Sequence, residues 1–222
     1  MRLFHFNNLN IFTLPVGQLN ANCYLVSDSK TLDTLIIDPG DDADYIERVI
    51  SDNNARPQFI VATHGHFDHI MAAFELQSAY NIPFQVHLKD EFLVKDLRAR
   101  AKHWLRIESP PSPNIGGFLK EKDRIIIGSS TLEVMETPGH TPGGVCLYEK
   151  SEKVIFVGDL IFKDGSVGRT DFSYSSEKDL IKSIDKILQL PQQTRVFSGH
   201  GESFSLRSHL SLRSRSDPYY LM

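Results

Sequence analysis

The chain has 222 residues, 41% of them hydrophobic and 23% charged, with a net charge of −4. That balance excludes disorder, and two cysteines in so long a chain exclude a disulfide-stapled mini-protein. Mild acidity, with a pI near 6.1, argues against a general nucleic-acid binder, and nine histidines against two cysteines make any metal site one of imidazole and carboxylate.

No apolar run approaches the ~20 residues that span a bilayer, and Asn and His interrupt any signal-peptide core near the N-terminus. The expectation is a cytoplasmic protein, monomer or homodimer, acting on a small molecule without membrane or nucleic acid. Cys23 and Cys146 fall in strand-like runs and read as buried small hydrophobes.

In chain order, residues 9–15, 22–27 and 34–39 read as a strand meander. DPGDD then stops a strand and caps a helix with Tyr45, Ile46, Val49 and Ile50 as its apolar stripe. Strand 58–63, helix 69–80 and strand 83–87 follow. Residues 90–105 read as one helix with Phe92, Leu93, Leu97, Ala101, Trp104 and Leu105 on one face. The proline-rich stretch 109–117 reads as a loop. Strands are expected at 124–128, 131–136, 145–149, 153–158 and 194–199. An amphipathic helix is expected at 176–190, with Leu180, Ile184, Ile187 and Leu188 inward, and a short helix at 203–215. Some eleven strands and five helices, in two halves that each open on a meander, suggest an α/β protein of two sheets with helices outside. The pattern does not separate a doubly wound sheet from a four-layer sandwich.

The strongest chemical signal is Thr63-His64-Gly65-His66-Phe67-Asp68-His69, directly after a buried strand. In an extended turn His64 and His66 point to the same side and reach one metal, and Gly65 keeps the turn free of a side chain. Asp68 and His69, at the start of the next helix, face a second metal. Four ionisable residues in seven positions make no sense as core. His140 (TPGHTPGG), Asp159 (GDL) and His200 (SGHG) each follow an apolar strand at a glycine-rich turn.

These motifs, in this order, resemble the metallo-β-lactamase superfamily over most of the chain. The resemblance implies an αβ/βα four-layer sandwich with two mixed sheets, and one such domain over residues 1–222. NCYLV, IDPG, the full THxHxDH, TPGHTPGG, GDL and Gly168-Arg169-Thr170-Asp171 are most similar to glyoxalase II, a hydroxyacylglutathione hydrolase. That likeness implies that His64, His66 and His140 hold one divalent metal, that Asp68, His69 and His200 hold a second, and that Asp159 bridges them. Zinc is the first expectation, iron or manganese the others. Class B β-lactamases usually place a Cys or lack the bridging Asp, and this chain shows neither departure. Glyoxalase II enzymes also carry a C-terminal glutathione-binding helical domain, for which the 22 residues after His200 leave no room.

The implied chemistry is hydrolysis of a thioester by a water whose pKa two metals lower towards ~7, with Asp68 orienting that water or shuttling its proton. Asp38, Thr63 and Thr141 are candidate outer partners of the histidines. Arg169 and, more weakly, Lys163 are candidate substrate contacts; the alternatives are an Arg169–Asp171 brace and a solvated lysine. His5, His87, His103 and His209 read as structural or surface. Gly168 to Phe172 also resembles a mononuclear-iron sulfur dioxygenase, which would use His64, His140 and Asp159. A lactonase or phosphodiesterase on the same two-metal centre is the other alternative.

Overall fold

A computed structural model describes residues 1–208. The first half forms a seven-stranded sheet, β1 (Arg2–His5), β2 (Leu9–Val16), β3 (Ala21–Asp28), β4 (Asp33–Ile37), β5 (Arg56–Val61), β6 (Phe84–His87) and β7 (Ile115–Leu119), in that spatial order. Pairs up to β3–β4 are antiparallel, and those from β4 onward are parallel. Parallel neighbours need a crossover, and the crossovers are helical. They are α1 (Ala43–Asp52), α2 (Ala73–Tyr80), and α3 (Glu91–Lys95) with α4 (Leu97–Leu105). The second sheet comprises β8 (Arg124–Ile127), β9 (Ser130–Glu136), β10 (Val145–Glu149), β11 (Val154–Gly158), β12 (Arg195–Ser198) and β13 (Phe204–Ser205), in the order β13-β12-β11-β10-β9-β8. Helix α5 (Glu177–Leu188) joins the parallel pair β11 and β12.

Side-chain alternation along the strands builds three apolar layers from this topology. In β3, Cys23 and Leu25 face the helices of the first sheet, while Tyr24 and Val26 face the second sheet. In β4, Ile36 takes the helix side, and Leu35 and Ile37 meet Leu132, Val134 and Phe156 across the sandwich. A third layer packs Leu180, Ile184 and Ile187 of α5 under Cys146, Ile155 and Val196. Helix, sheet, sheet and helix therefore stack as four layers, as the resemblance implied. Both cysteines are fully buried and unpaired.

Several local expectations are corrected. Residues 2–5 form a strand because they pair with β2 in an antiparallel hairpin, and they have no apolar alternation to announce it. The stretch 109–117 is loop only at first; Ile115–Gly117 join β7 against β6. The helix over 90–105 breaks at Asp96, where φ −85° and ψ 2° leave the helical region. That break turns Leu93, Val94, Leu97 and Ala101 inward and leaves Phe92 and Trp104 exposed at the surface. The helix over 69–80 begins only at Ala73, with a single 3-10 turn at Phe67–His69 before it. Within 203–215, Phe204–Ser205 are a strand and Leu206–Ser208 turn helical; the remainder lies outside the described residues.

One carboxylate ties the sheets at the end remote from the histidines. Asp28 closes β3 and accepts from the backbone N–H of Lys30 and Thr31 at 2.9 and 2.8 Å. It also accepts from the N–H and hydroxyl of Ser129, in the β8–β9 turn, at 2.9 and 2.7 Å. Burial alone would raise its pKa, but the four donors outweigh it and hold the carboxyl well below its ordinary 3.8. A lowered folded pKa stabilises fully above the unfolded value and is lost as pH falls through the folded one. Asp28→Ala is therefore expected to lower unfolding free energy by about 3 kcal/mol at pH 7. Urea denaturation checks it: the difference should shrink in strong acid, and equal midpoints at pH 7 would refute the tie.

Candidate metal centre

The histidines and aspartates meet where strands of both sheets end. Asp38 follows β4, residues 63–69 follow β5, His140 follows β9, Asp159 follows β11, and His200 follows β12. The two sheets are stitched there by the backbone. Val145 N–H donates to the Thr63 carbonyl at 2.8 Å, and Asn22 N–H to the Gly199 carbonyl at 2.7 Å. Gly199 permits a close approach, since a Cβ there would lie 2.1 Å from Asp159 Oδ1. Gly65 is cradled likewise, with room for no Cβ against Leu93 and Asp90.

Two groups of donor atoms result. His66 Nδ1 lies 3.1 Å from His64 Nε2 and 3.0 Å from His140 Nε2. Two nitrogens at ~2.0–2.1 Å from one tetrahedral zinc are about 3.3 Å apart, so this spacing fits one ion. Asp68, His69 and His200 form the second group, with Asp68 Oδ2 3.4 Å from His200 Nε2 and 3.8 Å from His69 Nε2. Asp159 stands between the groups. Its Oδ2 is 3.7 Å from both His140 Nε2 and His200 Nε2, and its Oδ1 is 3.6 Å from His69 Nε2.

Every one of these rings has its other nitrogen engaged. His64 Nδ1 meets the Thr63 hydroxyl at 3.1 Å, His66 Nε2 the Tyr174 hydroxyl at 3.0 Å, and His140 Nδ1 the Arg169 carbonyl at 2.8 Å. His69 Nδ1 meets Asp38 Oδ2 at 3.1 Å, and His200 Nδ1 the Leu19 carbonyl at 3.1 Å. Outer partners of this kind select the nitrogen that faces a metal. The inward His69 Nε2 and Asp159 Oδ1 are buried with no hydrogen-bond partner among the described residues. Buried polar atoms are normally paired, so two orphans facing one point mark a place that a cation completes. Asp38 also lies near His64, yet its oxygens are spent on the Thr63 N–H and hydroxyl and on His69. It is an outer brace.

The charges agree with that arrangement. Burial pushes His64 and His66 well below the ordinary imidazole range, with neighbouring rings adding to it. Both are neutral and able to ligate. For His69 burial works the same way, but Asp68, Asp159 and Asp38 outweigh it and carry the ring up to about 10. Burial would raise Asp68, but His69, His200 and His66 hold it well below the usual carboxylate range.

All seven residues predicted as ligands converge; the two predicted substrate contacts are already occupied. Arg169 is clasped side-on by Asp171, with Nε and Nη2 at 2.9 and 2.7 Å from the carboxylate. Lys163 pairs with Glu202 at 2.5 Å beside the outer edge of His200. Thr141 braces no histidine; it donates to Asp90 Oδ2 at 2.7 Å. Asp90 was missed by sequence reasoning, which took it for the first residue of a helix. Buried, it accepts from the N–H of Gly65 and Gly143, at 2.8 and 2.6 Å, and so locks the His64–His66 turn to the His140 turn. Tyr174 and Arg100 were missed too, because only the fold brings them to His66. His87 pairs with Glu136, His5 with Asn10, and His103 packs on Trp104; His209 lies outside the described residues.

Comparison with known proteins agrees with this geometry. The family model of the metallo-β-lactamase superfamily matches residues 16–200. A probable metallo-hydrolase of Bacillus subtilis, YqgX, is 38% identical over 192 residues, 85% of this chain and 88% of its own length. The hydroxyacylglutathione hydrolase GloC of Haemophilus influenzae is 32% identical over 220 residues, 94% of this chain and 100% of its own. Among solved structures, the B3 metallo-β-lactamase BLEG-1 superposes with a TM-score of 0.84 at 31% identity, covering 90% of this chain and 96% of its own. TTHA1623 in a di-iron-bound form gives 0.81 at 33% identity, covering 94% and 99%. With a family match across most of its length and relatives of this identity, the protein belongs to the metallo-β-lactamase superfamily and is a metal-dependent hydrolase.

Proposed function

We propose that the hydrolase is a thioesterase of glyoxalase II type, cleaving hydroxyacylglutathione-like thioesters at a centre of two divalent ions. The observation that carries the substrate class is the Haemophilus influenzae relative, which bears that activity in its name and is matched over its whole length. Two complete donor groups with Asp159 between them support two ions rather than one. His64, His66 and His140 would hold the first, Asp68, His69 and His200 the second, and Asp159 both.

Metals so held would lower the pKa of water and polarise the acyl carbonyl. The chain's own residues supply the rest. Asp68 stays ionised at neutral pH and presents an acceptor oxygen that orients the attacking water. Asp38, Thr63, Tyr174 and the carbonyls of Arg169 and Leu19 fix the rings. The cleft beside the centre, of about 250 Å³, is walled by Leu19, Trp104 and Phe172, which offer apolar surface to the substrate. As the acyl–sulfur bond breaks, the thiol leaves as thiolate, so no strong acid is required of the chain.

His69 furnishes a check on the ligand set. A ligating imidazole must be neutral, yet without metal this ring holds its proton up to about pH 10. Zinc uptake at pH 8 is expected to release about one proton from His69, and affinity should climb with pH towards 10. Calorimetry in two buffers of different ionisation enthalpy measures the release; none at all would remove His69 from the set.

A mononuclear-iron sulfur dioxygenase is the second reading, favoured by Gly168–Phe172. In the structure that segment serves His140 through the Arg169 carbonyl, a task either enzyme would need. The deciding experiment is a panel of thioester, lactone, phosphodiester and β-lactam substrates, run with metal analysis on protein purified without chelator. Two metals per chain and thioester turnover are the expected result. One iron per chain with oxygen uptake on a glutathione persulfide would overturn it.

A further inference from the structure

The cleft beside the centre is lined by Phe67, Trp104, Phe172 and Tyr174 and by two cations, Arg100 and Arg169. Arg169 has its side-on edge filled by Asp171. Arg100 is different. Among the described residues its Nη1 reaches the Tyr174 hydroxyl at 3.4 Å, and its Nη2 lies 3.9 Å from the exposed Asp96 carboxylate. Its Nε is buried with no partner, and its guanidinium carbon sits 5.4 Å from the centre of the Tyr174 ring. The group is thus aimed by stacking while most of its five N–H donors remain unspent.

The placement relative to the metal ligands matters. The Tyr174 hydroxyl touches both Arg100 and His66 Nε2, so the guanidinium stands one side chain away from the first donor group. Between them the Tyr174 and Phe172 rings stack at 5.2 Å, and Trp104, 52% exposed, extends the apolar wall on the helix side. A molecule lying along this wall meets the metals at one end and a positive fork at the other. Arginine recognises carboxylates in a planar, two-bond geometry, and an anion is the natural counterpart of its unspent donors.

We propose that Arg100 is an anion subsite that makes this hydrolase selective for substrates bearing a carboxylate, with the apolar stem of the substrate laid against Trp104. The choice of thioesters as probes rests on the function proposed above; the anion subsite itself does not. Metal-loaded full-length protein would be tested on the S-acyl thioesters of 6-mercaptohexanoic acid and of its methyl ester. Binding would be followed with the matching non-hydrolysable thioethers through the fluorescence of Trp104, the only tryptophan of the chain. The wild type is expected to prefer the acid, through KM. Arg100→Met should cut that acid-over-ester preference about 10- to 100-fold, in turnover and in binding alike, and rising salt should erode it in the wild type. Arg100→Lys should fall between. Equal losses on acid and ester would mark Arg100 as a mere brace for Tyr174 and overturn the proposal. So would a wild type whose acid thioether binds no better than its ester. If neither thioester is hydrolysed while acid binding still depends on Arg100, the thioesterase reading fails and the subsite stands.

Discussion

Asp159→Ala should leave a folded protein that binds fewer than two metals and has lost at least about a thousandfold in kcat/KM. The geometry sets the size of the effect. Asp159 alone among the donors stands 3.6–3.7 Å from histidines of both groups, so its loss weakens both ions together. The fold should persist, because Asp159 lies in the turn after β11 and its inward Oδ1 has no hydrogen-bond partner among the described residues. Circular dichroism and metal analysis on the same sample check the two halves of the statement. Retention of full thioesterase activity would refute the ligand assignment.

Asp38→Ala should cost both stability and metal affinity, although Asp38 is assigned no metal. Its two oxygens satisfy the Thr63 N–H at 2.7 Å, the Thr63 hydroxyl at 2.6 Å and His69 Nδ1 at 3.1 Å, all buried. Truncation strands these groups, which costs about 3–5 kcal/mol by analogy with broken buried ion pairs. It also frees the His69 ring, and loss of such an outer partner typically lowers metal affinity 10- to 100-fold. Chemical denaturation of the metal-free chain isolates the first effect, and a competition titration with a zinc chelator the second. Asp38→Asn, which keeps one acceptor, should recover part of the stability and less of the affinity. A variant with unchanged zinc affinity would show that the His69 orientation does not depend on this contact.

The two residues differ in how visible they were beforehand. Asp159 was legible because GDL follows an apolar strand, as TPGH and SGHG do, and strand ends recur as ligand positions. Asp38 was legible as a strand-end residue, but not as the partner of His69, because that pairing joins positions 31 apart through the parallel neighbours β4 and β5. Asp90 was invisible for the same reason. Nothing local distinguishes it from a helix-start aspartate until β6 carries it between the His64 and His140 turns. Arg100 and Trp104 read as parts of one helix whose apolar stripe is either core or a wall over the pocket; the break at Asp96 accompanies the second outcome for Trp104.

By itself the sequence supplied the donor chemistry, most of the strands and helices in chain order, and the five histidines and two aspartates as candidate ligands. Those follow from residue type and from periods of two and 3.6 along the chain, which are local properties. Tertiary structure alone decided which nitrogen of each ring points inward and which distant residues, Asp38, Asp90 and Tyr174 among them, brace the turns and rings of the centre. Those depend on contacts between residues far apart in the chain, where packing and hydrogen-bond partners, rather than neighbours in sequence, set the outcome. Of the two cations lining the cleft, Arg169 is clasped by Asp171, while Arg100 keeps the Tyr174 hydroxyl and a 3.9 Å contact to the exposed Asp96.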